Sequence, residues 1–101
     1  MRTSLVGGAA EKGHRLLARV RAAARRYNRY RSPEVVARVE RLEGGELTVV
    51  FRGSSCRSCG SYDYLEDFAL EASDVLDVTV DLHSFEPNGT VGYRAKYILE
   101  T

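Results

Sequence analysis

Two cysteines, Cys56 and Cys59, are the residues of this chain with the most specific chemistry, and they are its only cysteines. Two residues separate them in the glycine- and serine-rich stretch Gly53-Ser54-Ser55-Cys56-Arg57-Ser58-Cys59-Gly60-Ser61. That spacing lets both thiols chelate one metal or close a disulfide. A strand pattern precedes the stretch and a helical one follows it. The positive end of a helix and the Arg57 cation both favour the thiolate over the thiol.

Three chemistries fit such a pair. In the first, the cysteines hold zinc or an iron–sulfur cluster. Two thiolates are half of a tetrahedral zinc site or of a four-cysteine cluster. His14 and His83 are far away in sequence, so a homodimer, with four thiolates between its two chains, is the expected assembly. In the second, Cys56 and Cys59 form a redox dithiol, although the parallel βαβ pattern of thioredoxin-like enzymes is absent. In the third, they form a structural disulfide or remain unremarkable thiols. Disulfides occur inside hyperthermophile cells.

A second constellation is electrostatic. Residues 1–31 carry nine basic groups and one acid, Glu11, whereas residues 32–101 carry six basic groups and thirteen acids. Arg21, Arg25 and Arg29 recur every four residues and form a solvated row on a helix. The row can follow a nucleic-acid phosphate backbone. The plainer expectation is that the basic segment docks on the acidic remainder or faces water. Tyr27 and Tyr30 can stack on bases or close the apolar stripe of the helix. Tyr62 and Asp63 can hydrogen-bond around a cluster, and Asp77, Asp81 and His83 share a strand face that can meet a cation. Helix-start and surface roles account for these as well. No serine–histidine–acid set, phosphate loop or dinucleotide fingerprint occurs, so conventional enzymatic catalysis is not expected.

The elements that must position these residues follow from periodicity. Leu16, Val20, Ala24 and Tyr27, widened by Leu17 and Ala23, predict a helix over 9–30, with 1–8 flexible and Ser32-Pro33 as the stop. Alternation predicts strands at 35–42, 47–52, 75–85 and 91–99. Glu43-Gly44-Gly45-Glu46 and Pro87-Asn88-Gly89 supply the two hairpin turns. Leu65, Phe68, Ala69 and Ala72 predict a short helix over 62–72. The expected fold is a single α+β domain, an α-β-β-α-β-β two-layer sandwich with two helices on one face of a four-stranded antiparallel sheet.

The length of 101 residues, 44% hydrophobic and 29% charged, is that of one ordinary globular domain. No apolar run approaches the roughly 20 residues that cross a bilayer, and no secretory signal is evident, so a cytoplasmic location is expected. Thirteen arginines against two lysines, with no glutamine, suggest a thermophilic source.

The segment from Val35 to Val80 resembles the C-terminal domain of NifU-type iron–sulfur scaffold proteins. The likeness rests on Leu47-Thr48-Val49-Val50-Phe51-Arg52-Gly53 leading into Cys56, Cys59 and Ser61, then a helix and a strand. It implies transient assembly of a cluster bridged between the Cys56 and Cys59 pairs of two subunits, and its transfer to apo-protein clients. The chain departs from the family in several ways. It has two residues, Ser54 and Ser55, between Gly53 and Cys56 instead of one, and Arg31-Ser32-Pro33 in place of an Asp-Gly-Gly turn. Arg57 between the cysteines is bulkier than the family's residue, and a final strand extends beyond the family's core. The element order is also similar to that of bacterial-type KH domains, but their Gly-x-x-Gly clamp between two helices is missing. The resulting expectation is an iron–sulfur scaffold or carrier. The alternative is an RNA-binding module that uses Arg21, Arg25 and Arg29, with the cysteines as a disulfide.

Overall fold

The structure is a computed structural model. It describes the backbone of residues 2–32, 34–53, 61–89 and 91–100, and the side chains of these from Arg15 onward except that of residue 61. The elements run α1 (Arg2–Arg31), β1 (Val36–Glu43), β2 (Glu46–Arg52), α2 (Ser61–Leu76), β3 (Thr79–Pro87) and β4 (Gly92–Glu100). All pairings are antiparallel and the strand order is β1-β2-β4-β3, with both helices against the sheet. The expected α+β sandwich is therefore the fold observed.

The apolar stripe of α1 is buried as its spacing dictates: Val20, Ala23, Ala24 and Tyr27 are in the core, with Leu16 packed against it. α1 starts at Arg2, seven residues before the predicted start. Leu76, assigned from sequence to a strand, is instead the last residue of α2 and is buried. It continues the Leu65, Phe68/Ala69, Ala72 row by one more turn, so helix period wins over alternation there. Asp77 then takes a left-handed conformation (φ 58°) and its N–H donates to the Ser73 carbonyl at 2.9 Å, which ends the helix.

Gly44 and Gly45 both have positive φ in the β1–β2 hairpin, as a two-residue turn of right-handed twist requires. Two bulges alter the alternation further on. Glu40 is the extra residue in β1 and His83 the extra residue in β3. After each bulge the inward face changes parity, from Val39 to Leu42 and from Leu82 to Phe85.

The core centres on Tyr27, Phe51, Phe68 and Tyr97, all fully buried. Tyr27 meets Phe51 and Phe68 edge-on at 5.9 and 5.4 Å, and Phe68 meets Tyr97 at 5.4 Å. Each buried side chain contributes about 1.5–3 kcal/mol, and each ring pair about 0.5–1.5 kcal/mol more. By comparison, the ion pairs between the helices join side chains that are partly or largely in water and add little to stability. The aromatic cluster holds the layers together and the charges only orient them.

On the face away from the helices, Arg94 of β4 reaches across β2 and clasps Glu40 through two hydrogen bonds of 2.9 and 3.2 Å. Thr48 and Val50 of the central strand are buried on that face, Val50 lying level with Arg94. The Arg94 guanidinium holds the Glu40 carboxyl below its usual range.

Two predictions follow from these contacts. A Cβ at Gly53 (φ 149°) would overlap the carbonyl oxygen of Glu34. Gly53→Ala is expected to lower stability by about 3 kcal/mol in urea unfolding. Glu40 has a folded pKa below its unfolded one, so its contribution is present above the ordinary carboxylate range and is lost as pH falls through the folded value. Glu40→Gln should flatten the acid limb of the melting temperature measured against pH.

Candidate functional site

Cys56 and Cys59 lie outside the described residues, as do Ser54, Ser55, Arg57, Ser58 and Gly60. What the structure describes is the frame from which this stretch departs and to which it returns. β2 delivers it at Arg52 and Gly53, and α2 receives it at Ser61.

Both ends of the frame are tightly held. The Gly53 N–H donates to the Val91 carbonyl at 3.0 Å, and the Gly53 Cα passes so close to the Glu34 backbone that no side chain fits there. At the far end, the first turns of α2 are anchored by two buried hydroxyls. Tyr27 of α1 donates to the Tyr64 carbonyl at 3.0 Å, and Tyr97 of β4 donates to the Leu65 carbonyl at 2.9 Å. Burial pushes the Tyr97 phenol well above its ordinary pKa, so it remains a neutral donor. The Arg31 guanidinium covers the Tyr27 ring at 4.4 Å and lies 3.5 Å from Asp67.

The rim of this end is aromatic. Tyr62 lies 5.8 Å from Phe85, which lies 5.9 Å from Tyr93, and Tyr62 and Phe85 are 52% and 42% exposed. The Tyr62 hydroxyl donates to Glu66 at 3.0 Å, and that bond raises its pKa. Asp63 is exposed in the first turn of α2, where its charge complements the helix terminus. Sequence reasoning singled out Tyr62 and Asp63 but missed Phe85 and Tyr93 as their neighbours. Phe85 reaches the rim only because of the bulge at His83, and nothing in the local alternation announces it.

One expectation is corrected at the helix end. Asp77 does not share a strand face with Asp81 and His83, because it terminates α2 ahead of β3. Asp81 instead bonds with Glu100, raising the pKa of the Glu100 carboxyl. Among the described residues no three His, Cys, Asp or Glu side chains group as metal ligands.

The arginines of α1 divide between two flanks. Arg19 donates to the Val75 carbonyl at 2.8 Å, and Arg26 lies 2.6 Å from Glu71 and 2.8 Å from Asp74, so this flank is docked on α2. Arg21, Arg25 and Arg29 are exposed on the opposite side of the helix. Tyr27 closes the apolar stripe, but Tyr30 is 71% exposed and does not. No described helix is long and apolar enough to cross a membrane.

If the two hydroxyl anchors fix the start of α2, then Tyr27→Phe and Tyr97→Phe should each cost about 1 kcal/mol. Each should also speed amide exchange in the first turns of α2 more than at its end, as hydrogen exchange followed by NMR would show.

Comparison of the chain with protein-family models, with curated proteins and with solved structures gives no match.

Proposed function

We propose that this chain is a metal-centre protein of the scaffold or carrier type, which holds an iron–sulfur cluster through Cys56 and Cys59. The observation that carries the reading is the placement of the Cys-x-x-Cys pair. It lies in the one connection that leads from the central strand β2 directly into α2. The resemblance to the NifU-type C-terminal domain supports the same reading, as does the rigidity of the flanking frame.

The donor set fits half of a four-thiolate site, and a second copy of the chain supplies the other half. Zinc is the simpler occupant of the same four thiolates. In this reading the cluster is cargo, passed to apo-protein clients. The protein's own part is to keep two thiolates ionised at a helix start and to hold them close enough to share a metal. Tyr62, Phe85 and Tyr93 line the rim where a second copy or a client would approach.

Anaerobic reconstitution with iron and sulfide, followed by absorbance and iron quantification after gel filtration, tests this reading. The expected result is a brown protein with cysteine-dependent iron, falling to background in Cys56→Ser and in Cys59→Ser. A colourless protein without iron would contradict it.

A further inference from the structure

The docked flank of α1 accounts for only part of its arginine content. Arg19, Arg26 and Arg31 are engaged by α2 through Val75, Glu71, Asp74 and Asp67. Arg21, Arg25 and Arg29 have no carboxylate within ion-pair distance among the described residues. Two of them, with Arg38 of β1, line a groove of about 360 Å³ between α1 and the β1 edge.

The groove is open because its floor is small. Ala24 and Ala37 lie there, and Asn28 is held flat against β1, donating to the Ala37 carbonyl at 2.9 Å and accepting from its N–H at 2.7 Å. These bonds satisfy the outward N–H and C=O of Ala37 on the edge strand β1. Arg38 stands level with Val50, on the strand face that carries Glu40, and has that carboxylate as its counter-charge. The guanidinia of Arg21, Arg25 and Arg29 on α1 have no fixed counter-charge among the described residues.

Arginines four residues apart on a helix are about 6 Å apart along its axis. That repeat suits a chain of phosphates better than a single anion, and planar guanidinia bind phosphate oxygens in pairs. We infer that the exposed row of α1 beside the α1–β1 groove binds the phosphodiester backbone of a nucleic acid through Arg21, Arg25 and Arg29. The site is independent of the cysteines.

Fluorescence anisotropy with labelled single-stranded RNA, single-stranded DNA and a duplex of matched length tests the inference. Three phosphate contacts give a slope of log affinity against log salt of about −2 for either single strand, or about fifteenfold weaker binding between 50 and 200 mM salt. Arg21→Ala/Arg25→Ala/Arg29→Ala should weaken binding about tenfold or more and bring the slope towards zero. Arg41→Ala/Arg52→Ala/Lys96→Ala removes the same net charge from elsewhere on the surface and should bind nearly as the parent does. Circular dichroism melts establish that both variants fold. Absence of saturable binding at low salt, or equal losses in the two triple variants, would overturn the inference. Saturable, salt-sensitive binding of any one of the three probes would support it and identify the form that is bound.

Discussion

Two buried tyrosine hydroxyls, on Tyr27 and Tyr97, tie the opening of α2 to α1 and to the central sheet at once, and the rest of the molecule is arranged around that tie. Both rings also belong to the aromatic cluster with Phe51 and Phe68, so the donors cannot swing away without opening the core. A buried hydroxyl that loses its acceptor costs its full desolvation. The start of α2 is thereby fixed relative to the end of β2, where Gly53 is pressed on the Glu34 backbone. The stretch bearing Cys56 and Cys59 departs from one of these points and returns to the other. In the proposed reading, such a frame suits a half-site that must meet a second one in register.

The charge asymmetry of the sequence resolves into two devices. One flank of α1 neutralises α2 at close range, which sets the angle between the helices without adding much stability. The other side, Arg21, Arg25 and Arg29, stays unneutralised among the described residues and keeps a local positive field. The two flanks lie on one helix, but they serve the fold and the surface separately.

Much of the fold was legible in the sequence because it is written in local period. The α1 stripe, the Gly44-Gly45 turn and the Pro87-Asn88-Gly89 turn each specify their geometry within a few residues. Leu76 was misassigned because a single apolar residue satisfies helix and strand periods alike. The bulges at Glu40 and His83 were not legible, since they arise from pairing between strands. Neither was the insertion of β4 between β2 and β3, which brings Arg94 opposite Val50 and within reach of Glu40. For the site, the Cys-x-x-Cys spacing and the basic row were evident as residue types. The rim formed by Phe85 and Tyr93, and the docking of Arg26 on Glu71 and Asp74, depend on tertiary contacts and could not be read from the chain.

The central claim is that Cys56 and Cys59 form half of a shared metal site. Native mass spectrometry of the reconstituted protein, with and without a chelator, addresses it most directly. The account predicts a species of two chains carrying a single cluster, which separates into metal-free monomers when iron is removed. A metal centre retained by a single chain, or a dimer whose mass and population ignore the metal, would contradict it.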